Sequence, residues 1–149
     1  FIHLLYDSVR GAGKALRSNA TNAEDSDYST GYLSSFDSDG FSTVAGSTEN
    51  TRHNYTSQTY AVWNWKAGGT ASSNTDGSIT SSVSANTDAG FSIVSFTGNG
   101  TAGATVGHGL SQAPEFWVTK NRDSAYAWFT GTPEYPNPAG NYYIQLDAT

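Results

Sequence analysis

GFSIVSFTGNGTAGATVGHGLSQAPEFWVTKNR, residues 90–122, is the stretch whose reading decides the fold. From Gly90 to Thr97 the apolar side chains fall on both faces, Phe91 and Ile93 against Val94 and Phe96. Such a run predicts a strand covered on both sides, and so central in its sheet. Glu115 to Lys120 predicts another strand. The glycines between them can be read in two ways. Gly98-Asn99-Gly100-Thr101-Ala102-Gly103 has the form G-x-G-x-x-G after an apolar strand. A dinucleotide site also needs a helix opening at the third glycine, so that its N-terminus meets the pyrophosphate. Here the chain runs on as Ala104-Thr105-Val106-Gly107-His108-Gly109, with no helical pattern and no βαβ unit. The glycines are therefore read as a wide turn, and no cofactor is expected.

Outward from this stretch the signals are those of strands and turns. Phe1 to Tyr6, FIHLLY, predicts a short strand, and Lys14 to Ser18 another. Asp7 offers a helix N-cap, but Gly11 and Gly13 in the following turns cost a helix about 1 kcal/mol each. Ala23 to Gly40 is polar and acidic and predicts a long ordered loop ending in the turn Asp37-Ser38-Asp39-Gly40, followed by a strand from Phe41 to Val44. Thr59 to Ala67, TYAVWNWKA, has the alternation of a half-buried strand, with Ala61, Trp63 and Trp65 on one face and Val62, Asn64 and Lys66 on the other. Gly68 to Asn86 reads as a linker or exposed hairpin around Asp76-Gly77, with apolar beats at Ile79 and Val83. Thr105-Val106, Tyr126 to Thr130 and Asn141 to Asp147 add further strands, the last two separated by Pro133, Pro136 and Pro138.

Composition agrees. The 149 residues include 4 Trp, 9 Tyr, 7 Phe and 16 Gly, while helix-filling Leu, Lys and Glu are scarce. The expected fold is all-β: one antiparallel β-sandwich domain over residues 1–149, jelly-roll-like, with long polar loops. Two internal similarities accompany it. Ser38 to Val44 resembles Asp88 to Val94, a turn followed by a strand. Ala12 to Thr21 aligns with Ala139 to Thr149 with one gap, which predicts a tandem period of about 127 residues plus an overhanging segment 1–21.

Charge and residue types exclude several function classes. The formal net charge is −6, with no run of Lys or Arg, so a phosphate backbone is not an expected partner. With no Cys there is no disulfide frame and no thiolate metal site. No apolar run reaches membrane length, and no leader is recognisable, so the chain is expected to be a mature or excerpted piece. His3, His53 and His108 lack metal-ligand spacing. Asp37-x-Asp39-Gly40 lacks the remaining ligands of a calcium loop and reads as a turn. No nucleophile elbow is present, so no catalytic residue is assigned. Three N-x-[ST] sequons, at Asn19, Asn54 and Asn99, are candidates for glycosylation. Of the large aromatics, Trp63 and Trp65 read as core because they share a face with Ala61. Trp117, Tyr126 and Trp128 are the candidates for stacking on a sugar ring.

The phrases DSVRGAGKALRSNAT (7–21), LSSFDSDGF (33–41), YAVWNWKAGG (60–69), SANTDAGFSIVSFTGNGTAGATVGHGL (84–110) and AP-x-FWVTKNR (113–122) resemble modules of structural and tail-fibre-like proteins of tailed bacteriophages. The resemblance covers most of the chain and implies a tandem, sandwich-type virion domain without assigned enzyme activity. In that family a KNR strand precedes a segment like Leu5 to Arg10, whereas here that segment comes first, so the order is permuted. The Pro-rich segment 132–140 and the polar insertion 48–58 depart from the pattern, and no binding residue carries over. The resemblance implies a non-catalytic, extracellular or virion subunit, with copies of itself, other virion proteins or cell-surface glycans as partners. Phe1, Ile2, Leu4, Leu5 and Tyr6 are the candidate strand for exchange between subunits.

Overall fold

A computed structural model describes residues 2–26, 28–47, 53–133 and 144–147. Phe1 and the segments 139–143 and 148–149, which carry the tandem-period alignment, lie outside the described residues, as do 48–52 of the polar insertion and 134–140 of the Pro-rich segment. The chain is all-β. Its described residues form ten short strands, one 3-10 turn at Tyr28–Thr30 and no α-helix. All strand ladders are antiparallel, in four separate sheets, none of them closed. The chain divides into two compact units.

Unit 1 comprises Phe1–Tyr6, Ala12–Thr59 and Pro114–Thr149. Here β1 (Leu4–Leu5) pairs with β2 (Leu16–Arg17), Leu4 opposite Arg17 and Leu5 opposite Leu16. Next to β2, Ala15 and Asp25 exchange backbone hydrogen bonds of 2.8 and 2.9 Å. The polar tract expected to be a loop up to Gly40 instead contains β3 (Gly31–Phe36), which forms a hairpin with β4 (Phe41–Ala45). Alternation accounts for β3: Gly31 and Leu33 turn inward while Ser34 and Phe36 turn out. The signal is faint in sequence because only one of the inward residues has an apolar side chain. Gly31 sits at φ +84, and a Cβ there would lie 2.8 Å from the Val44 carbonyl oxygen, so no larger residue fits that start of the hairpin. In the turn, Asp37 N–H donates to the Gly40 carbonyl, and its two carboxylate oxygens accept from the Ser35 and Ser42 hydroxyls. The acidic turn therefore holds the hairpin together.

The third sheet of unit 1 runs β10 (Ile144–Gln145), β9 (Phe129–Gly131), β8 (Trp117–Thr119), with β9 in the middle. The core of this unit comprises Ala15, Leu16, Leu33 and Trp128. Trp128 is only 3% exposed, and its indole N–H donates to the carbonyls of Arg17 at 2.7 Å and Ala20 at 3.3 Å. A buried indole satisfied in this way stabilises both the packing and the backbone it bonds to. Glu24 and Arg122 bind each other twice over: a forked ion pair of 2.9 and 3.1 Å, and a backbone bond from Glu24 N–H to the Arg122 carbonyl.

Unit 2 comprises Asp7–Gly11 and Tyr60–Ala113. The Asp7 N-cap closes one turn only: its carboxylate accepts from the Val9 and Arg10 amides and pairs with the Arg10 guanidinium. Gly11, at φ +96, then leaves the helical region. The sheet of this unit has the order β5 (Ser72–Asn74), β6 (Ser81–Asn86), β7 (Phe91–Phe96). Two expectations are corrected here. β7 lies at an edge, not in the centre, and the central strand is β6, from the tract expected to be a linker or exposed hairpin. β6 is also the most buried strand, through Ser81, Val83 and Ser84. Its buried hydroxyls have acceptors: Ser84 donates to the Gly69 carbonyl at 2.7 Å and Ser81 to the Gly107 carbonyl at 3.2 Å. Small side chains with satisfied hydroxyls let neighbouring backbone close in, so burial here comes from proximity and not from bulk.

Candidate functional site

The largest departure from expectation lies at residues 60–67. The half-buried strand expected from TYAVWNWKA does not form, and no residue from Tyr60 to Ala67 belongs to a strand. Trp63 is 74% exposed and Trp65 64%, so the core assignment of both is overturned; Tyr60 and Val62 are exposed as well. The physical reason is the lack of a partner. An alternating pattern buries a face only where another strand or layer lies against it, and polar tracts flank this segment on both sides. Those flanking tracts were the one sequence signal pointing to exposure.

The C-terminal end of the segment is nevertheless fixed. Asn86 Nδ2 donates to the Lys66 carbonyl at 3.2 Å, and Ser84 Oγ holds the Gly69 carbonyl. Gly68 packs so tightly on Ala85 that a Cβ would lie 1.8 Å from the Ala85 carbonyl oxygen. The Trp65 ring lies near-parallel to Phe91 of β7, centroids 6.4 Å apart at 23°. By contrast, no hydrogen bond joins Ala61, Val62, Trp63 or Asn64 to another described residue. Unit 2 thus presents a run of exposed aromatics with open backbone, tethered at one end.

The glycine-rich stretch has a structural task in the same unit. No helix follows Gly103, where φ is +76, and Asn99 Oδ1 accepts from the Thr101 amide to close a local turn. The chain then lies along the start of β6: Ile79 and Val106 form a parallel bridge, and Ser78 and Thr105 exchange amide-to-hydroxyl bonds of 3.0 and 2.9 Å. Gly107 is required for that approach, since a Cβ there would sit 1.9 Å from Asn74 Oδ1. His108 Nδ1 accepts from the Leu110 amide, which accounts for its place in the loop.

In unit 1 the three candidate stacking residues part company. Trp128 is buried, so neither face of its ring is open to a sugar; it is a core residue. Trp117 and Tyr126 are 45% and 60% exposed. Of the N-terminal candidates, Ile2 and Leu5 are exposed, Leu4 is half-buried, and β1 is paired within its own chain. Tyr6 hydroxyl meets His53 Nε2 at 2.7 Å, and the His3 amide donates to Asn19 Oδ1. Asn19, Asn54 and Asn99 are all exposed. Lys120, at the end of β8, donates to the carbonyls of Asn121 and Ser124; burial lowers its pKa below the ordinary lysine value, and the charge of Asp147 opposes that shift.

Among the described residues no three of His, Asp and Glu gather where they could hold a metal ion, and no helix is long and apolar enough to cross a membrane. No curated protein and no solved structure matches the chain. The one family identification is at the level of sequence: over residues 2–149 the chain belongs to the family described as a domain of unknown function (DUF7483).

Proposed function

We propose that this chain is a non-catalytic structural subunit of an extracellular or virion fibre, in which copies join head to tail or meet other virion proteins. The observation that carries the reading is the combination of small open sheets with uncovered aromatics. Each described sheet has only two or three strands, and Trp63, Trp65, Phe96, Phe116 and Tyr126 all face outward. Open strand edges template pairing with another chain, and exposed apolar groups of this size mark surfaces that a partner covers. A sandwich-type arrangement completed by neighbouring copies accommodates both features, and heterologous contacts of this kind propagate as filaments. β1, a two-residue strand, is short enough for a neighbour's strand to take its place on β2. The resemblance of residues 7–21, 33–41 and 84–122 to phage fibre modules points the same way. The test is sedimentation velocity across a dilution series, followed by electron microscopy. Defined oligomers or filaments are expected, and a single monomeric species at every concentration overturns the reading.

A second reading is glycan recognition, favoured by the exposed rings of Trp117 and Tyr126 in unit 1. It predicts saturable binding on a glycan array that Trp117→Ala abolishes. An array without signal removes it.

A further inference from the structure

Two unmet needs occur in unit 2, and they are complementary. The first belongs to residues 60–67: an alternating sequence rich in aromatic and β-branched side chains, which fits a pleated, half-buried surface, left outside any strand. Its residues Ala61 to Asn64 make no hydrogen bond to any described residue. The second belongs to β7. Phe91–Phe96 pairs with β6 on one side and has no strand neighbour on the other among the described residues. One element lacks a sheet, and the other is a sheet edge lacking a strand.

The two are not joined within one chain because of where the segment is tethered. Residues 66–69 are fixed on Ala85, Ser84 and Asn86 of β6 and lead directly into β5, which occupies the edge of the sheet opposite β7. From there the free edge of β7 is about three strand spacings away, or roughly 14 Å. The tether therefore delivers the segment to the wrong side of its own sheet.

We infer that residues 60–67 add as a strand to the free β7 edge of a second copy of this chain. This deepens the fibre reading and rests on it. Main-chain bonds along β7 supply the attachment, while alternate side chains of the added strand meet the faces of the sheet. Trp63 and Trp65 then lie on one face and Val62 and Asn64 on the other, which restores the alternation written in the sequence. The contact is heterologous, since a segment on one copy meets a different element on the next, so it propagates instead of closing a dimer.

Asn64→Pro tests the inference, because it removes one backbone donor from the middle of the added strand. In the isolated chain that amide donates to no described residue, so the fold of the monomer is retained. The concentration of half-assembly is expected to rise about tenfold or more, one ladder bond being lost with its acceptor left unpaired. Trp63→Ser, which leaves the backbone untouched, is expected to weaken assembly in the same direction. Because the chain has no cysteine, two single-cysteine variants, Asn64→Cys and Ser92→Cys, can be mixed and treated with a short bis-maleimide. Cross-linked heterodimer is expected. If wild type assembles while Asn64→Pro and Trp63→Ser assemble equally well, this inference falls and the fibre reading stands. If Asn64→Cys alone cross-links to itself, the contact is between like segments and the pairing with β7 is overturned. A wild-type chain that is monomeric throughout overturns both.

Discussion

SSVSAN at 81–86 and YAVWNWKA at 60–67 lie in the same unit and have opposite fates. The first has one large apolar residue, Val83, and becomes the central, most buried strand. The second carries two tryptophans, a tyrosine and a valine in strand alternation, and remains exposed and unpaired. Side-chain hydrophobicity ranks them in the wrong order, and the supply of partners ranks them correctly. β6 is bracketed by β5 and β7, each joined to it by a short connection, and by the Gly107 and Gly69 carbonyls that accept its serine hydroxyls. Residues 60–67 have an anchor at one end only. A strand is a property of a pair.

Amide hydrogen exchange in dilute solution gives the largest expected difference. The amides of Ala61 to Asn64 should exchange almost without protection, and those of Ser82 to Ser84 at least about a hundredfold more slowly, as expected between open backbone and a central ladder. Equal protection would erase the contrast. Next comes a comparison of like residues. Trp128→Ala removes a buried ring and should cost about 3–5 kcal/mol in urea unfolding. Trp63→Ala, at an exposed site, should stay within about 0.5 kcal/mol. A large loss for Trp63→Ala would mean that its ring is packed in the monomer.

The junction between the two stretches offers smaller effects. Gly68→Ala forces a methyl group against the Ala85 backbone and should destabilise the chain by about 2–3 kcal/mol, whereas Ala67→Gly should cost much less. If Gly68→Ala is neutral, the tether that keeps 60–67 on the β5 side is absent. Ser84→Ala leaves the Gly69 carbonyl without its donor and should cost about 1 kcal/mol. A neutral result would place β6 among strands held by the ladder alone.

Much of the strand content is legible in the sequence. Phe41–Ala45, Phe91–Phe96, Trp117–Thr119 and Phe129–Gly131 all fall in segments whose apolar patterns predict strands. The similarity of 38–44 to 88–94 is real at the local level, since β4 and β7 are both the second strand of a hairpin entered from a tight turn. β3 was hidden because glycine and serine share its inward face with a single leucine. The candidate site was hidden for the opposite reason: residues 60–67 look buried by every local rule, and only the missing neighbour exposes them.

The sequence by itself therefore determined the all-β class, the turn-forming role of the glycines after Phe96, and the positions of most strands. These depend on backbone preference and on side-chain period, which act over a few residues. Only the tertiary structure decided that β6 lies at the centre, that Trp128 is core while Trp63 and Trp65 are surface, and that β7 keeps an open edge. Those outcomes depend on which segments come to lie beside one another, and a pattern along one strand does not encode the strand that will pair with it.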